Sequence, residues 1–107
     1  MKSIRLREQD IKNMITLFST VFAKGDRLWL FGSRVDPSKK GGDIDLYIET
    51  NIEDLSLIVE KRLRFVRDLK LKIGDQKIDV VINFPGNIQL PIYDHAKKKG
   101  VLLHENT

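Results

Sequence analysis

The chain reads as a single α/β (α+β) domain over residues 1–107, a small mixed β-sheet of about four strands with helices packed on one face. Three observations predict it. Two stretches, 11–22 and 55–73, repeat their apolar residues at helical spacing. Short segments at 28–31, 43–48 and 77–82 are apolar throughout or at every second position, as strands are. Glycines punctuate the joints at Gly25, Gly32, Gly41, Gly42, Gly74 and Gly100. A length of 107 residues suits one domain with one core.

In order along the chain, Ile11, Met14, Ile15, Phe18, Val21 and Phe22 mark one face of a helix that Gly25 can terminate. Leu28, Trp29, Leu30 and Phe31 are apolar at every position, as in a central strand covered on both faces, so Trp29 reads as packing. The loop over 34–42 is polar and carries Pro37, Ser38, Lys39 and Lys40 before its two glycines. Ile44, Leu46 and Ile48 alternate along the next strand. Thr50-Asn51-Ile52-Glu53 has the form of a capping box, and Leu55, Ile58, Val59, Leu63, Val66, Leu69 and Ile73 trace a long helical stripe ending at Gly74. Ile78, Val80 and Ile82 share one face of a further strand, with Asp79 on the other. Pro91 can start a short helix that Gly100 ends, and 101–103 can return as an edge strand.

The chemistry gathers in FGSRVDPSKKGGDIDLYIE, from Phe31 to Glu49. On a strand, Asp43 and Asp45 point the same way, about 6.5 to 7 Å apart, so both carboxylates can reach a pair of divalent ions. Asp79 lies opposite the apolar face of its own strand; pairing of the two strands brings it to the same cluster. Three carboxylates without a cation repel one another, and a metal makes the arrangement tolerable. Gly32 ends an apolar strand and allows close backbone approach. A chain turning into helix there offers free N–H groups and the Ser33 hydroxyl to a phosphate. Arg34, Lys39 and Lys40 are placed to fold over a polyphosphate, or else to sit in solvent as loop charges.

Gly32-Ser33, nine residues, then Asp43-x-Asp45 resembles the signature of the minimal nucleotidyltransferases of the DNA polymerase beta-like superfamily. The resemblance covers nearly the whole chain, through the runs RLWLFGSR, GGDIDL and KIDVVI. It implies the polymerase beta-like nucleotidyltransferase fold. It also implies transfer of a nucleoside monophosphate, AMP from ATP, to a hydroxyl acceptor. Asp43, Asp45 and Asp79 become catalytic residues and ligands of two Mg²⁺ ions, and Gly32, Ser33 and Arg34 join Asp43 and Asp45 in binding nucleotide. Free-standing members of this length are often encoded with an α-helical protein of the HEPN class. Some act as antitoxins by adenylylating that toxin, so a tyrosine on such a partner is the expected acceptor.

Composition bounds these readings. No cysteine is present, so neither a disulfide nor a thiolate metal site exists. No apolar run approaches the roughly 18 residues of a membrane span and no leader is apparent, from which a cytoplasmic location is expected. A formal charge of +4 suits a polyanionic partner and equally suits ordinary solubility. No P-loop, Rossmann glycine pattern or Ser-His-Asp set competes. Two other classes stay open: a nucleotide-binding subunit that masks a partner without turnover, and an RNA-binding module using Lys61, Arg62, Arg64, Arg67, Lys70 and Lys72. The helix carrying those cations has no aromatic ladder, and Glu60 and Asp68 interrupt them, so it reads as a solvated face. His95 and His104 lack metal-ligand spacing and read as packing or surface residues, the first still within reach of a nucleotide.

Overall fold

A computed structural model describes residues 4–36, 38, 39 and 41–107. The elements run α1 (Glu8–Val21), β1 (Arg27–Phe31), a 3-10 turn (Gly32–Val35), β2 (Ile44–Glu49), α2 (Leu55–Ile73), β3 (Ile78–Asn83), α3 (Pro91–Lys99) and β4 (Val101–Glu105). They build one mixed four-stranded sheet of order β3-β2-β1-β4. β1 pairs antiparallel with both β2 and β4, while β2 and β3 run parallel, joined by α2 as a crossover.

Period-two alternation sorts the strand residues between two cores. Leu28, Leu30, Ile44, Leu46, Ile48, Ile78 and Val80 face α1 and α2, meeting Met14, Phe18, Phe65 and Leu69. Trp29, Phe31 and Tyr47 face the other way and meet Tyr93 and Ala96 of α3. α1 and α2 therefore form the expected helical layer, but α3 lies on the opposite face of the sheet. The apolar character of β1 at every position has this cause: both its faces are covered. Trp29 is packing, with its ring 5.3 Å from that of Tyr47.

Two details of α2 depart from the sequence reading. The capping box at 50–53 does not form; the helix starts at Leu55, and Asp54 is its cap, accepting from Leu57 N at 3.3 Å. Thr50 belongs instead to a buried polar knot. Asp26, fully buried, accepts from Thr50 Oγ1 at 2.8 Å, Ala23 N at 2.9 Å and Asn51 N at 3.2 Å. It thereby ties the α1–β1 turn to the β2–α2 connection. The buried stripe is also rotated from the expected one: Ile58, Phe65, Leu69 and Ile73 enter the core, while Leu55, Val59 and Leu63 are exposed. The large ring of Phe65 fills the space between α1 and the sheet, packing edge-on against Phe18 and Phe22.

No described helix is long and apolar enough to cross a membrane.

Candidate functional site

The parallel pairing of β2 with β3 sets Asp45 directly opposite Asp79, and the antiparallel pairing with β1 sets Asp45 opposite Phe31. Asp43 precedes β2 by one residue. Its neighbour Ile44 donates its N–H to Lys77 O at 3.0 Å, which keeps the start of β2 in register with β3. The three aspartates thus share one end of the face that α3 partly covers. Asp43 and Asp45 are half-buried and Asp79 is exposed.

At the other end of that face Tyr47 is fully buried, stacked on Tyr93 at 5.6 Å and hydrogen-bonded to Glu49 at 2.8 Å. Burial pushes the Tyr47 hydroxyl well above its ordinary range, so it stays a neutral packing residue. Lys97 reaches Glu49 at 3.0 Å and closes this end. The aspartate end stays open.

Electrostatics at the open end is unbalanced. Burial first, and then the Asp79 and Asp43 carboxylates, raise the Asp45 carboxyl above the usual carboxylate range, opposed by Lys77. Lys77 Nζ sits 3.4 Å from Asp43 Oδ2. Among the described residues no three His, Asp or Glu side chains converge closely enough to hold an ion as they stand. The aspartates share a face without closing on one point, and an ammonium group occupies the partner position of one of them.

The donor set nevertheless suits a divalent cation. All three side chains offer hard carboxylate oxygens, and the charges of Asp79 and Asp43 disfavour the ionised form of Asp45. Gly32 leaves the space that the Asp45 carboxylate fills. It has φ +76°, a conformation natural to glycine, and a Cβ built there would collide with Asp45 Oδ2. Gly42 similarly leaves the space that Ser33 Oγ fills. Ser33 Oγ in turn donates to Asp43 O at 3.5 Å. The Gly-Ser turn is consequently in direct contact with the Asp45 carboxylate and the Asp43 backbone.

Arg34, expected at the nucleotide, is turned elsewhere. Its guanidinium donates to Arg5 O at 2.9 Å, Gly42 O at 3.3 Å and Gln76 Oε1 at 3.3 Å, bracing the loop. Lys39 lines a cleft beside Gly32 and Ser33. Lys40 and Pro37 lie outside the described residues. His104 is a packing residue, edge-on to Phe18 and hydrogen-bonded to Ser19 at 3.1 Å.

The residue that sequence reasoning missed is Arg5. Its guanidinium donates to Ser33 O at 2.5 Å, Gly41 O at 3.0 Å and Asp36 O at 3.2 Å, and its backbone N–H to Arg34 O at 2.8 Å. One side chain thus pins both ends of the loop that separates the Gly-Ser turn from Asp43. An arginine ahead of the first helix carries no local signal of this, because all its acceptors are carbonyls 28 to 36 residues away.

Compared with protein-family models and with curated proteins, the chain matches none.

Proposed function

We propose that this domain is a Mg²⁺-dependent nucleotidyltransferase of the minimal, polymerase beta-like kind. The observation that carries the reading is the strand register: Asp45 pairs with Asp79, and Asp43 lies two residues from Asp45 on the same face. The Gly32-Ser33 turn is packed against the Asp45 carboxylate and the backbone carbonyl of Asp43.

Asp43, Asp45 and Asp79 are the residues to hold two Mg²⁺ ions. Bound Mg²⁺ supplies neutralisation of charge on the phosphoryl group and lowers the pKa of an attacking hydroxyl. The Gly-Ser turn receives the β and γ phosphates of a nucleoside triphosphate, ATP by the resemblance. The acceptor oxygen forms a bond to the α-phosphorus as the bond to the β-phosphate oxygen breaks. Pyrophosphate leaves, and the proposed acceptor of the hydroxyl proton is Asp79, whose exposure leaves its carboxylate accessible. The open aspartate end leaves room for a macromolecular acceptor, and the proposed one is a tyrosine on a helical partner of the HEPN class.

The test is incubation of the protein, Mg²⁺ and a co-expressed helical partner with ATP labelled at either the α or the γ phosphate. Label from the α position on protein, with none from γ, is expected. Label from γ alone means phosphoryl rather than nucleotidyl transfer and refutes the assignment.

A further inference from the structure

Between the 3-10 turn, the loop after it and α3 lies an open cleft of about 550 Å³. Gly32 and Ser33 line it from the turn, Lys39 from the loop, and His95 and Lys99 from α3. These last two stand four residues apart, and so on one helical face. Tyr93 and Ala96 are the residues that seat α3 on the sheet, leaving His95 and Lys99 at the cleft.

The seat is fixed at its end by Gly100. A Cβ there would run into Ala96 O and lie 2.7 Å from Leu30 O and 3.1 Å from Phe31 Cβ. The last turn of α3 can approach the end of β1 this closely only because position 100 has no side chain. That end of β1 is where Gly32 begins. The cleft therefore opens directly from the Gly-Ser turn, and Gly32 separates it from Asp45.

The cleft is also biased in charge. Lys39 and Lys99 are cationic, and His95 adds a donor. The one acid in the lining, Asp36, has Oδ1 engaged by Ser38 N at 2.9 Å and Ser38 Oγ at 2.6 Å, which also lower its pKa.

We infer that this cleft is the polyphosphate subsite, in which Lys99 and His95 of α3 hold the β and γ phosphates of a nucleoside triphosphate against the Gly-Ser turn. The inference rests on the nucleotidyl-transfer reading and extends it. The α-phosphate lies toward Asp43 and Asp45, and the departing pyrophosphate stays with α3. Selectivity for triphosphate over monophosphate then resides in the C-terminal helix, a segment outside the signature run. Lysine and imidazole N–H donors to phosphate oxygens are charge-assisted and about twice as strong as neutral ones.

Calorimetry with inorganic tripolyphosphate, ATP and AMP tests this without reference to turnover. In the Lys99→Ala, His95→Ala double variant, tripolyphosphate and ATP affinities are expected to fall about tenfold or more, with AMP affinity changed less than about twofold. Lys99→Arg is expected to retain most of the affinity. Asp43→Asn and Asp45→Asn are expected to keep metal-free tripolyphosphate binding. Wild-type ATP affinity in the double variant overturns the inference and leaves the transfer reading standing. An equal loss on changing exposed Lys70 and Lys72 to Ala also overturns it, because binding then follows net charge alone. Conversely, tripolyphosphate binding that needs Lys99 and His95, with no label moved from ATP, upholds the subsite and refutes the transfer.

Discussion

Replacing Gly32 with alanine adds one methyl group at the joint between the Gly-Ser turn and Asp45. Two costs follow. Holding a non-glycine residue at φ +76° costs about 1–2 kcal/mol. The new Cβ also overlaps Asp45 Oδ2 and lies 3.1 Å from Asp45 Cγ, so the carboxylate must swing off its rotamer, at about 0.5–1.5 kcal/mol. The sum, about 1.5–3.5 kcal/mol, corresponds to a fall in Tm of about 7–16 °C for a domain of this size. Gly86→Ala is the control: Gly86 has nearly the same φ, +83°, with nothing within 4 Å of a built Cβ. It reports the backbone cost alone. Urea unfolding of wild type, both single variants, Asp45→Ala and the Gly32→Ala, Asp45→Ala double variant closes the cycle. Gly32→Ala should cost more than Gly86→Ala by about 0.5–1.5 kcal/mol, and the excess should vanish once Asp45 is alanine. Equal costs at positions 32 and 86, or an excess that survives removal of the carboxylate, refute the contact between turn and aspartate.

Arg5→Ala should release the loop between Ser33 and Gly41, cost about 1–3 kcal/mol in unfolding and raise KM for ATP with little change in kcat; Arg5→Lys should restore part of the KM. Asp26→Ala removes the acceptor of three hydrogen bonds, one buried and two part-buried, and a loss of about 2–3 kcal/mol is expected by urea denaturation. For Asp45 the sign follows from its raised pKa. Its ionised form is disfavoured in the folded state, so its contribution is most favourable below its unfolded value and is lost as pH rises through the folded one. Asp45→Asn should therefore raise Tm at neutral pH, with the gain shrinking as pH falls into the carboxylate range. Mg²⁺ should stabilise wild type more than this variant.

Most of the fold was legible because strand and helix periods were clean. Leu28, Leu30, Ile44, Leu46 and Ile48 alternate or run as burial requires, and all five are fully buried. The shared orientation of Asp45 and Asp79 was legible, but their pairing was only a condition of the reading, which the parallel β2–β3 register meets. What periodicity could not locate was the rotation of α2. Seven apolar positions fit a stripe, yet the ring of Phe65 took the core and left Leu55, Val59 and Leu63 outside. The start of α2 was misplaced for a related reason. Thr50 had a better partner in buried Asp26 than in its own helix, a choice between distant groups that a local motif does not encode. Arg5 and Lys99 escaped notice as site residues, and His95 was read only as packing or surface within reach of a nucleotide, because their places depend on tertiary approach, of α3 at Gly100 and of the N-terminal segment at Ser33.

The most direct test of the account is calorimetric titration of ATP with and without Mg²⁺ into wild type and into Asp43→Asn, Asp45→Asn and Asp79→Asn. The account predicts Mg²⁺-dependent binding to wild type that each substitution weakens about tenfold or more, with every variant still folded. Mg²⁺-dependent binding that survives all three substitutions unchanged, or no binding by wild type, contradicts it.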